Sequence, residues 1–188
     1  MIVAQMSKFF SYDILRIINS SVSIIICFYF FKCLKIRYKK INNFILALLA
    51  CSIYLSPTIR SLSIWPYSLI WGLLFFVIST FHFLKFLEIK RDSGKFKQSL
   101  ITTFFIVISA YIYPAFGIFF LFFIINFFLT YGFSKKFFLI SIISFVLAIP
   151  FLLYINSKDV LAAFEGAQGL NMNEFNTFNI SNKILIIS

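Results

Sequence analysis

Long apolar runs alternate with short polar or basic interruptions along the whole chain, and that alternation predicts its elements. Six runs, 17–34, 41–57, 67–84, 98–113, 115–134 and 137–155, approach or reach the length a helix needs to cross the hydrocarbon of a bilayer. Gln98–Ser134 holds 37 residues without a charge, about twice what one crossing requires. Tyr113-Pro114 falls near its middle and divides it into a tight hairpin of two spans. Pro150 is expected to kink the last turn of the sixth run. Residues 156–182 form the one long polar segment, rich in Asn, and Lys183–Ser188 reads as the first turn of a further span. The fold class is therefore all-α: a polytopic transmembrane helix bundle of about six spans plus the start of a seventh.

The stretch Leu55-Ser-Pro-Thr-Ile-Arg-Ser-Leu-Ser-Ile-Trp-Pro-Tyr67 organises the rest. Each proline disfavours helix in the residue before it, so Ser56 and Trp65 are expected helix ends. Trp65, Tyr67 and Trp71 are residue types that favour the headgroup zone, where an apolar ring and a polar edge are both satisfied. The stretch reads as a turn between two membrane helices, lying along one membrane surface, with Arg60 as its only charge.

Composition agrees with the pattern. Hydrophobic residues make up 61% of the 188 and charged residues 12%, which excludes an ordinary soluble domain. The formal charge of +11 invites a nucleic-acid reading, but its distribution argues for lipid. The loops after the first, third and fifth runs carry 12 of the 17 Lys and Arg residues, against Glu88 and Asp92. The opposite side carries Lys8, Arg16, Arg60, Lys158 and Lys183, offset by Asp13, Asp159, Glu165 and Glu174. The basic side is then cytoplasmic by the positive-inside rule, and its clusters anchor the helices at anionic headgroups. The expected localisation is integral to the inner or plasma membrane, with membrane lipids as partners and no nucleic acid. That orientation puts the N-terminus outside with no preceding span, and the seventh span is unfinished. The expectation is a central fragment, missing upstream and downstream helices of the same or a neighbouring chain.

Little in the sequence carries recognisable chemistry. Cys27, Cys33 and Cys51 lie in or at the ends of apolar runs, with no metal-type spacing. No Gly-rich phosphate loop or Ser/His/Asp set is present, and His82 is the single histidine. Neither a metal nor a cofactor is expected. His82 reads as an interfacial or packing residue rather than a proton relay, because no intramembrane carboxylate accompanies it. The lack of an intramembrane acid or Arg pair also weighs against an ion-coupled transporter. Asp159, Glu165 and Glu174 are candidates to line an acceptor site, with a lid-like or unstructured loop as the favoured account. Asn19-Ser-Ser21 and Asn179-Ile-Ser181 match the glycosylation sequon, a pattern that arises often by chance.

The order of features points further. Leu15-Arg16-Ile17-Ile18-Asn19 opens a span ending in a basic loop. A span ending Leu55-Ser56-Pro57 follows, then Arg60 with aromatics up to Pro66-Tyr67, a third span, a basic loop and the Tyr113-Pro114 hairpin. Residues 12–155 in this respect resemble the central membrane part of the GT-C-type glycosyltransferases, polytopic enzymes that use polyprenyl- or dolichyl-phosphate sugars. The resemblance implies sugar transfer from a polyprenyl-phosphate donor at the extracytoplasmic face. It also implies that most of the acidic catalytic loop lies upstream of Met1. Asp13, in Ser11-Tyr12-Asp13, does not match the acidic motif, so no catalytic residue is assigned. Arg60 and Tyr67 are the candidate lipid-phosphate ligands: a forked guanidinium suits phosphate oxygens. An interfacial anchor snorkelling to headgroups is the competing account of Arg60, and the aromatic belt that of Tyr67. A transporter or flippase-like bundle and a non-catalytic membrane subunit are the alternative functions.

Overall fold

A computed structural model describes residues 11–65 and 68–156. Among them all regular structure is helical: α1 Tyr12–Arg37, α2 Asn43–Cys51, α3 Pro57–Ile64, α4 Ser68–Glu88, α5 Asp92–Ile112, α6 Ile118–Tyr131 and α7 Lys135–Asn156. Single 3-10 turns, Ser52–Leu55 and Pro114–Gly117, extend α2 and lead into α6. The described residues up to 147 form one compact unit. The described part of the second, 148–188, is the helical end of α7. Three of these segments are long and apolar enough to cross a membrane: Asp13–Arg37, Ser68–Glu88 and Pro114–Tyr131. They become four if α2 with its 3-10 turn and α3, bent by 77° at Ser56, count as one broken span.

Two stretches differ from the pattern read above. The second run folds as helix only over 43–55, about 20 Å of rise, short of the ~30 Å hydrocarbon. The expected surface turn after it contains a helix of its own. Pro57 occupies the first turn of α3, where its missing N–H costs nothing, and the extended Ser56 breaks α3 from α2. The helix after the second basic cluster starts at Asp92, not Gln98, so Lys95 and Lys97 ride on its first turns. Its apolar part, from Leu100 to Ile112, rises only about 20 Å. The break expected at Tyr113-Pro114 is present. Tyr113 is extended and ends α5, and Gly132, at φ +55°, closes α6 in a backbone conformation that favours glycine. The helix of α7 continues through Pro150. The polar segment 157–182 and the start of a seventh span lie outside the described residues.

The core is built around α4. Val22, Ile26 and Cys33 of α1 pack on Ile70, Leu74, Val77, Ile78 and Phe81 of α4. Farther along, Phe83 and Phe86 meet Ile106 of α5, Phe123 and Phe127 of α6, and Ile140 of α7. Between α4 and α5 small polar contacts join the apolar ones. Ser79 donates to the Thr102 carbonyl at 2.9 Å and Ser109 to the Gly72 carbonyl at 2.7 Å, all in buried positions. Such close approach of backbones through Gly, Ser and Thr is how helices associate where lipid offers no hydrophobic contrast. The outward faces of α2, α6 and α7 expose Ile, Leu and Phe, as a lipid-facing surface requires.

Candidate functional site

The site is the elbow formed by α3 where it crosses α1. The α3 helix is short because sequence limits it at both ends. Pro57 starts it, with the Arg60 N–H bonding the Ser56 carbonyl at 3.1 Å. Trp65, extended ahead of Pro66, stops it. A two-turn helix leaves most of its last carbonyls without partners in the ladder, and in an apolar setting each one left bare is costly.

Residues of α1 meet that need. The Asn19 amide donates to the Trp65 carbonyl at 2.7 Å, and the Ser20 hydroxyl is shared between the Ser63 carbonyl at 3.1 Å and the Arg16 carbonyl of its own helix at 3.0 Å. The Asn19 oxygen in turn accepts the Trp71 indole N–H at 3.1 Å. Asn19 is 2% exposed, so its amide is spent on joining α1, the end of α3 and the start of α4. Ser63 donates back to the Arg60 carbonyl at 2.7 Å, stiffening the last turn.

Depth follows from helix geometry. Asn19 and Arg37 lie on one helix, 18 residues and about 27 Å apart along its axis. The elbow therefore meets α1 roughly one hydrocarbon thickness from the basic ends of α1 and α4. Trp65 is exposed at this level and Trp71 partly so, where interfacial Trp is favoured.

Arg60 is exposed on α3, one turn before the tethered Ser63. Among the described residues no carboxylate lies within ion-pair distance of its guanidinium. The elbow thus offers a forked cation on a short helix whose end is fixed, and such a group suits an anionic oxygen cluster. Tyr67, the other candidate ligand, lies outside the described residues, as do Asp159, Glu165 and Glu174. Asp13 is exposed in the first turn of α1, about 9 Å along the helix beyond Asn19. Among the described residues no three His, Cys, Asp or Glu side chains cluster as metal ligands would. His82 is far from the elbow. Its Nδ1 meets Gln98 Oε1 at 2.7 Å and its ring stacks on Phe105, joining α4 to α5.

Sequence reasoning singled out Arg60 and missed Asn19 and Ser20. The signal was present: a polar amide inside an apolar span has to find a partner within the bundle. Comparison with protein families, with characterised proteins and with solved structures returns no match to this chain.

Proposed function

We propose that this chain is a six-span part of a membrane glycosyltransferase using a polyprenyl-phosphate sugar, with the elbow at the extracytoplasmic face of the inner or plasma membrane. In such a transfer an acceptor hydroxyl attacks the sugar's anomeric carbon, and the bond from that carbon to the lipid phosphate breaks. Negative charge gathers on the departing phosphate. Arg60 is the residue assigned to hold that phosphate and to stabilise its charge as it leaves. The base that takes the acceptor's proton belongs, in this reading, to an acidic loop outside these residues.

One observation carries the reading. An exposed guanidinium with no carboxylate in ion-pair distance among the described residues sits on a short helix that Asn19 and Ser20 pin to α1, roughly one hydrocarbon thickness from the basic ends. A residue that merely floats at an interface has no need of a tethered platform. A phosphate ligand does, because bidentate geometry is lost when its donor wanders.

The test is binding of a polyprenyl-phosphate analogue to the protein in lipid nanodiscs. Arg60→Lys should weaken binding, since a point-like ammonium cannot reproduce the fork. Arg60→Ala should weaken it further, by roughly 1.5–3 kcal/mol for a lost charge-assisted bond. Equal binding by wild type and both variants would contradict the assignment.

A further inference from the structure

The basic end of the bundle holds a second arrangement, on the opposite side from the elbow and independent of it. Lys32 of α1 and Lys85 of α4 converge on one buried ring, Phe81. The Lys85 ammonium lies 4.5 Å from the ring centroid and that of Lys32 5.7 Å from it. Lys32 also sits over Phe28 at 4.2 Å and near Tyr29 at 5.4 Å. Because both ammonium groups are referred to one ring, they lie no more than about 10 Å apart.

Neither lysine is a freely solvated surface charge. Both are half-buried, and both enter the bundle short of the helix ends. Lys32 is about 7 Å inside Arg37 and Lys85 about 4 Å inside Glu88, counted along their helices. The two acids at this end are engaged elsewhere: Glu88 pairs with Lys39, and Asp92 with Lys136. Among the described residues no carboxylate answers Lys32 or Lys85. Aromatic faces attract each cation but do not cancel the repulsion between two of them, and that repulsion grows as water is excluded.

An anion between the two ammonium groups relieves the repulsion. At this depth the anion within reach is the phosphate of a lipid headgroup, with its acyl chains running along the exposed apolar helix faces. We propose that Lys32 and Lys85, held over Phe81, form a binding site for the phosphate of an anionic phospholipid in the leaflet on the basic side of the bundle. Phe28, Tyr29 and Phe81 fix the lysine stems, so the site is built before the lipid arrives.

The experiment is titration of the detergent-purified protein with phosphatidylglycerol, phosphatidylcholine or inorganic phosphate, read by native mass spectrometry. One phosphatidylglycerol should bind in preference to phosphatidylcholine, and millimolar inorganic phosphate should not displace it. Lys32→Gln/Lys85→Gln should weaken that binding at least tenfold, the loss expected for a charge-assisted bond. Lys32→Arg/Lys85→Arg should retain it, which separates lost charge from lost folding. Lys95→Gln/Lys97→Gln, removing the same charge from α5, should leave it within twofold. Three outcomes would overturn the site: Gln variants that bind as wild type does, an equal loss in the α5 variant, or displacement by inorganic phosphate. The last would assign a soluble phosphate instead.

Discussion

The Asn19 side chain donates to the Trp65 carbonyl, 46 residues away in sequence, while the Trp71 indole donates to the same side chain. One amide therefore fixes where the chain turns from α3 into α4. Asn19→Ala would remove both the bond to the Trp65 carbonyl and the bond from the Trp71 indole N–H, made by a side chain that is 2% exposed. It should destabilise the protein by roughly 1–2 kcal/mol, allowing for the modest worth of hydrogen bonds between membrane helices. Ser21→Ala, exposed and bonded only within its own helix, should change stability by less than about 0.5 kcal/mol. Denaturation in mixed micelles measures both. Equal stability of the two variants would remove Asn19 from this role.

Gly72 is a second fixed point. A Cβ there would lie 3.0 Å from the Phe116 ring and 3.1 Å from Tyr113 Cβ, closer than ordinary packing allows. Gly72→Val should therefore cost about 1–3 kcal/mol by overpacking where α4 meets the Tyr113-Pro114 hairpin. Gly117→Ala is the contrasting case. Its new Cβ would meet Ala110 at 3.6 Å, and its φ of −60° suits alanine. It should be neutral or stabilise by a few tenths of a kcal/mol. The same denaturation measurement separates them, and a Val variant as stable as wild type would contradict the close approach.

Cys27 and Cys51 test the packing of α1 on α2. Their sulfurs are 3.7 Å apart, so a modest rotation brings them to bonding distance. Cys33 is turned away, with its sulfur 3.9 Å from the Val77 carbonyl of α4. After treatment with membrane-permeant copper-phenanthroline and denaturation, a thiol-reactive polymer should add once, at Cys33. It should add three times without the oxidant. Cys51→Ser should give two additions under either condition. Three additions to the oxidised wild type would contradict the α1–α2 contact.

Much of this was legible in the chain's pattern, for a physical reason. Apolar runs and prolines act locally, so the ends at Ser56, Trp65 and Tyr113 and the basic flanks of α1 and α4 could be read directly. The helix inside the elbow was not legible. Thr58 to Ile64 is short and of mixed polarity, and it holds as helix because α1 supplies partners for its last carbonyls. The early start of α5 was hidden for a related reason. Lys95 and Lys97 look like loop residues, yet one helix can carry charged turns outside the hydrocarbon and apolar turns within it. At the site, Arg60 stood out as an isolated charge. Asn19, Ser20 and the lysine pair at Phe81 depend on residues more than 40 positions apart, which no local pattern encodes.

The proposed function stands on the elbow facing the side of the membrane opposite the basic loops. Cysteine accessibility in intact cells measures that most directly. In a variant lacking Cys27, Cys33 and Cys51, single cysteines would replace Thr58 on the elbow, Lys39 after α1 and Lys95 on α5, the first two exposed and the third half-buried. A membrane-impermeant maleimide should label position 58 and leave 39 and 95 unlabelled until the cells are permeabilised. Labelling at 39 or 95 in intact cells, with position 58 protected, would contradict the orientation and with it the role of Arg60.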